Sequence, residues 1–227
     1  MKTIKIAMIG FILISLIASG CKSMNKTQKG AVIGTAGGAA AGAIIGKVAG
    51  NTALGAIIGA AVGGVTGAII GKKMDKQAEE IKNQLPSAQV ERVGEGIVIE
   101  FNNRILFGFD QSNLTAEAKN NLIKLKDILV KYPDTNIEVQ GHTDDKGSVK
   151  YNQSLSERRA GAVVSNLNAN GIPSSRLTLK GFGESLPKYT NNTEDGNAMN
   201  RRVEFLVTAN DKMKSEAAKE ANNPAQN

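Results

Sequence analysis

Four places along this 227-residue chain carry side chains with chemistry to offer: Cys21, His142, the stretch from Thr143 through Arg159, and Arg201-Arg202. Cys21 is the only cysteine, so no intramolecular disulfide can form, and His142 is the only histidine, so a Cys/His zinc cluster is excluded. His142 stands beside Thr143, but no nucleophile or metal set accompanies it. It reads as a hydrogen-bonding loop residue rather than a catalytic base. Taken singly, Asp144 is a turn residue and Arg159 a helix-surface arginine. Arg158 reads as a solvated or sheet-packing charge, and Arg201-Arg202 as a phosphate patch or a structural pair. Nothing in the chain assembles an enzyme active site, and no cofactor is implied.

Cys21 has a setting of its own. Lys2 and Lys5 precede an apolar run over residues 6–17, which ends in Ala18-Ser19-Gly20 directly before the cysteine. A charged start, a short apolar stretch and small residues make a signal segment. The run is too short for a membrane span of about 20 residues. The stretch resembles the lipobox of bacterial lipoproteins, with Ala18 where leucine is commoner. The resemblance implies cleavage after residue 20, acylation of Cys21 and anchoring in membrane lipid. Ser23 stands where an aspartate favours inner-membrane retention in enterobacterial lipoproteins, which points to the outer membrane. Net charge is +7 with a pI near 9.4, but the basic residues form no long run. An anionic membrane or wall suits that balance, and nucleic acid is not expected as a partner.

Between residues 30 and 71 lie 13 of the 25 glycines. They recur every fourth residue at 30, 34, 38, 42, 46 and 50, and again at 55, 59, 63, 67 and 71. The two stretches are a repeat, identical at 12 of 18 aligned positions. Glycine costs a helix about 1 kcal/mol per position, so a helical period of four needs a reason. A glycine stripe lets two helices approach closely, which matters most where water is absent. We read residues 30–72 as an all-α glycine-zipper helical hairpin, similar to segments of bacterial outer-membrane lipoproteins and able to support a homo-oligomer.

Residues 73–87 read as a polar helical linker, stopped by Pro86. From Val90 apolar and polar residues alternate around Gly94-Glu95-Gly96, which predicts a β-hairpin. Thr115 is a candidate N-cap for an amphipathic helix that buries Ala118, Leu122, Leu125, Ile128 and Leu129. A strand over residues 136–140 follows, then a helix with Ala160, Val163, Val164 and Leu167 on one face and Gly171 at its end. Two more strands close the domain, and residues 210–227, poor in apolar groups, read as a disordered tail. The layout is signal 1–20, acylated linker 21–29, hairpin 30–72, linker 73–87, α+β domain 88–209 and tail 210–227.

Five motifs of that domain occur in a telling order: "FGFD", "VQGHTDDKGS", "YNQSLSERRAGAV", "LKGFGESLP" and "NRRVEF". Together they resemble the OmpA-like C-terminal domain, shared by peptidoglycan-associated lipoproteins and flagellar stator B subunits. The resemblance implies a βαβαββ sandwich and non-covalent binding of peptidoglycan through the diaminopimelate of its stem peptide. It implies that Asp144 pairs with the ligand ammonium and that Arg159 clasps its carboxylate. Asp110, Thr143, Asn152 and Leu155 would line or support the pocket, and Arg201-Arg202 would brace the sheet and its loops. The expected function is a lipoprotein tether between outer membrane and wall, with the domain in the periplasm. The alternative is a glycine-zipper oligomer forming a membrane pore or assembly scaffold. A stator subunit would need an acid in its membrane helix, and residues 21–73 contain none.

Overall fold

The computed structural model describes residues 62–108 and 110–222. The signal segment, Cys21, the 21–29 linker and zipper residues 30–61 lie outside the described residues. Among the described residues five strands form one mixed sheet. β1 (Gln89–Val93) and β2 (Gly96–Asn102) make an antiparallel hairpin, and Gly94 takes a φ of 56° in its two-residue turn. Such a turn needs that left-handed geometry to match strand twist. β5 (Arg202–Ala209) runs antiparallel to both β2 and β3 (Thr135–His142), while β3 pairs in parallel with β4 (Leu177–Gly183). This is the mixed sandwich that the motif order implied.

Alternation along the strands gives the sheet two unlike faces. Ile97, Ile99, Phe101, Ile137, Val139, Val203, Phe205 and Val207 point into one apolar core. That core is covered by α1 (Gly64–Gln84), α3 (Ala116–Lys131) and α4 (Val149–Ala169), with the one-turn α2 (Asn103–Leu106) between β2 and α3. Thr115 caps α3 as expected, its hydroxyl accepting the Ala118 N–H at 3.0 Å. The opposite face carries Glu100, Gln140, His142, Arg202 and Glu204, all buried. Buried charge of this density must be paired. Lys188, from the segment after β4, reaches Glu100 at 2.6 Å, and Arg202 donates to Glu204 at 2.7 Å. The short helix α5 (Glu194–Asn200) ends that segment.

Three expectations change here. The segment read as a linker is the second half of α1, whose Ile70, Met74, Ala78 and Ile81 are buried in the core. Spacings of three and four make it a core helix, and its polar outer face disguised it. The tail read as disordered forms α6 (Asp211–Asn222), which buries Met213 and Ala217. Two apolar contacts suffice because α6 docks on a helix already in place. The domain therefore spans residues 64–222 instead of 88–209. The second glycine repeat is also interrupted: Gly63 and Gly64 take positive φ of 67° and 64°, and α1 starts only there. Gly67 then lies against this domain's own hairpin, where an added Cβ would come within 2.3 Å of Glu95 Oε1. Among the described residues no helix is long and apolar enough to cross a membrane.

Candidate functional site

α4 is seated unusually close to the sheet. A Cβ on Gly141 would meet the Ser156 carbonyl oxygen at 2.2 Å, so only glycine permits this approach. Gly183, at φ 51°, donates its N–H to Ser156 Oγ at 2.9 Å. Ser148 caps the helix, accepting the Tyr151 N–H at 3.2 Å. With the helix so placed, Asn152, Leu155 and Arg159 fall on one buried face at spacings of three and four. They meet the loop that leaves β3, which carries Thr143 and Asp144.

Thr143 extends the pairing of β3 and β4, its N–H donating to the Gly183 carbonyl at 2.9 Å, and its hydroxyl donates to the Asp144 carbonyl at 2.8 Å. Asn152 Nδ2 holds the same loop through the carbonyls of Asp144 (3.3 Å) and Lys146 (3.2 Å) and the Glu184 carboxylate (2.6 Å). The side chain of Asp144 is only 7% exposed. Its Oδ2 accepts from Arg201 Nη1, and its Oδ1 accepts the Lys146 N–H at 3.3 Å.

Arg159 is 4% exposed and is held on three sides. Its Nε donates to the Gln111 carbonyl at 2.9 Å. The Asn103 amide, with its oxygen turned inward, accepts from Nη1 at 2.6 Å and Nη2 at 3.1 Å. Phe107 lies beneath the guanidinium, 5.4 Å from ring centroid to Cζ. Three of five N–H groups are thus committed within the described residues, leaving two for a ligand. Burial lowers the pKa of Arg159, Asp110, Tyr151 and Asp144 oppose the shift, and the charge of Arg201 adds to it. Asp110 is exposed, adopts a φ of 54°, and accepts a hydrogen bond from the Tyr151 hydroxyl, which raises the phenol's pKa.

The six site residues chosen from sequence thus gather around one end of the sheet: Asp144, Thr143, Asn152, Leu155 and Arg159 together, with Asp110 at the exposed margin. Sequence reasoning passed over Asn103, Phe107 and Gln111, which fix Arg159. It also grouped Arg201 with Arg202 as bracing. Arg202 does brace, buried at 1% exposure. Arg201 instead grips Asp144, and its carbonyl accepts the Asn103 N–H at 2.9 Å. Neighbouring residues entering a strand point opposite ways, which was the available signal. His142 differs from its expected role as well. It is buried at the end of β3, stacks on Phe182 with ring centroids 5.4 Å apart, and neither ring nitrogen has a hydrogen-bond partner among the described residues. Burial, with Arg202 and Lys188 nearby, lowers its pKa to about 2, so the ring is neutral.

Comparison with known proteins places this geometry. The OmpA family model matches residues 106–201, and the YMGG-like Gly-zipper model matches residues 1–75. Outer membrane porin F of Pseudomonas fluorescens is 46% identical over 105 residues. That stretch is 46% of this chain and 32% of the porin, so the chain spans about a third of that relative's length. Outer-membrane lipoprotein YfiB of Pseudomonas aeruginosa is 35% identical over 115 residues, which is 51% of this chain and 68% of the relative. Among solved structures, the cell wall anchor of the T6SS from Pseudomonas aeruginosa is similar, with 27% identity and a TM-score of 0.53. The match covers 60% of this chain and 96% of the anchor. With over two thirds of an outer-membrane lipoprotein aligned and the family model lying across the site just described, the chain belongs to the OmpA family.

Proposed function

We propose that this chain is a cell-envelope tether. Acyl chains on Cys21 hold it in the outer membrane, and the domain of residues 64–222 grips peptidoglycan in the periplasm through diaminopimelate. The observation that carries this reading is that one end of the sheet holds both a buried carboxylate, Asp144, and a buried guanidinium, Arg159, with two N–H groups uncommitted among the described residues. The free end of diaminopimelate carries an ammonium and a carboxylate, the complements of that pair. The site binds and breaks no bond. Similarity to an outer-membrane lipoprotein and to a cell wall anchor agrees with this reading.

The layout of the sheet suits a tether. At the site end Asn102 pairs with Arg202, and Gly141, one residue before His142, pairs with Val203. The turn at Gly94-Glu95, which meets the start of α1, is at the other end of β2. Seven residues of strand put roughly 20 Å between the two. Val62, where the described residues begin, thus lies away from the site, which suits a chain anchored through its N-terminal side.

Co-sedimentation of the full chain, in mild detergent, with purified sacculi tests the reading. Binding to diaminopimelate-type wall, abolished by Asp144→Ala or Arg159→Ala, is expected. Equal pelleting of wild type and both variants would overturn it. Loss of membrane association and of alkyne-palmitate labelling in Cys21→Ser tests the anchor separately.

A further inference from the structure

Arg201 pairs with Asp144 and is the more exposed of the two. Its side chain is 24% exposed, against 7% for the Asp144 side chain behind it. One of its terminal nitrogens, Nη1, donates to Asp144 Oδ2, and the other, Nη2, to Glu194 Oε1 at 3.3 Å. Glu194 in turn accepts from Lys146 Nζ at 2.7 Å, and the Lys146 N–H returns to Asp144 Oδ1. Charges alternate around this closed ring, and it ties the loop after β3 to α5 and to the entry of β5. None of these contacts braces the sheet, which is the task of Arg202.

Two consequences follow from charge alone. Asp144 is already compensated before any ligand arrives, so a lone ammonium gains little by approaching it. Asn103 touches both Arg159 and Arg201, its amide oxygen accepting from the Arg159 guanidinium and its N–H donating to the Arg201 carbonyl at 2.9 Å, and the Arg201 charge acts on Arg159. Two like charges held close are relieved by an anion placed between them. A ligand that brings both an ammonium and a carboxylate answers both conditions, and a simple amine answers neither. We infer that Arg201 is a specificity-determining residue that positions Asp144 and restricts the site to zwitterionic amino-acid ends. The inference rests on the reading of Asp144 and Arg159 as the wall contact.

The test compares full chain and variants on two walls, one of diaminopimelate type and one of lysine type, whose free side chain is an ammonium without its carboxylate. Arg201→Gln should bind the first wall less and the second more, narrowing the preference by about tenfold, the loss of one partly buried charge contact. A residue that merely held the fold would lower both together. Arg201→Lys keeps the cation and should keep most of the preference. Glu194→Gln, which loosens the outer hand of Arg201 at an exposed position, should shift the preference the same way by less, and serves if Arg201→Gln does not fold. An unchanged preference in folded Arg201→Gln, or in Glu194→Gln where the former is unfolded, overturns the inference. So does a preference lost as fully in Arg201→Lys. If instead Asp144→Ala and Arg159→Ala leave wall binding intact, the underlying site assignment falls with it.

Discussion

The Glu95 carboxylate accepts the N–H of Gly63 at 3.1 Å, although 32 residues separate them in the chain. The same carboxylate takes the Val62 N–H at 3.0 Å, so the β1–β2 turn caps α1 from outside the helix. Arg92 adds to the clasp by pairing with Asp75 at 2.8 Å. Glu95→Gln should cost about 1 kcal/mol of stability, the usual worth of a helix cap. Gly67→Ala pushes a Cβ into the Glu95 carboxylate, which can swing away at the expense of the cap. The two substitutions should therefore fall short of additivity in urea unfolding. Full additivity would show that Gly67 and Glu95 act independently.

Arg176 holds the far end of the domain together. Its guanidinium donates to the carbonyls of Thr135 (2.7 Å), Leu129 (3.0 Å) and Tyr132 (3.0 Å) and to the Thr135 hydroxyl (2.9 Å). Arg176→Ala leaves these acceptors unanswered and should cost on the order of 2–4 kcal/mol in denaturant unfolding. Arg176→Lys should recover only part, since an ammonium lacks the planar fork.

α6 is predicted to matter for stability and not for binding. Met213→Ala should cost about 2 kcal/mol from lost burial. Removing residues 211–222 should lower the unfolding midpoint further while wall binding of the folded protein is retained. An unchanged midpoint would mean that α6 does not pack on α1 in solution.

His142 sets part of the acid sensitivity. Its folded pKa lies near 2, below the ordinary value of 6.5, so between those pH values the unfolded chain binds the extra proton. Its contribution is complete above about pH 6.5 and is lost as pH falls, by about 1.4 kcal/mol per unit. His142→Phe keeps the stack on Phe182 and sacrifices no protein hydrogen bond. It should hold neutral-pH stability within about 1.5 kcal/mol and flatten the decline between pH 6 and pH 4. A slope equal to wild type would mean that the ring is protonated in the fold.

How much of this could be read from residues alone depends on where the information sits. The caps and faces of α3 and α4 are local, so Thr115, Leu122, Leu125 and Val163 announced them. That the six candidate residues would gather at one end of the sheet was legible because their motifs keep order and spacing. Arg201 was not, because its partner Asp144 is 57 residues away and only the fold decides which of two adjacent arginines faces it. α1 and α6 were misread for a related reason. Each looks polar by itself, and each becomes stable by packing on something distant in sequence. The glycine stripe was read as one device, yet Gly63 and Gly64 turn the chain and Gly67 makes room for Glu95.

In the proposed site Asp144 and Arg159 hold one zwitterion between them. Isothermal titration of the full chain with a soluble muropeptide ending in free diaminopimelate tests it most directly. Wild type should bind. Arg159→Lys, which keeps the charge and loses the fork, should bind at least tenfold more weakly, and Arg159→Ala and Asp144→Ala should each lose 2–5 kcal/mol. The double variant should lose less than the two single losses summed, because both residues grip one ligand end. Wild-type affinity in Arg159→Lys, or the same affinity for a muropeptide whose diaminopimelate carboxylate is amidated, would contradict the account.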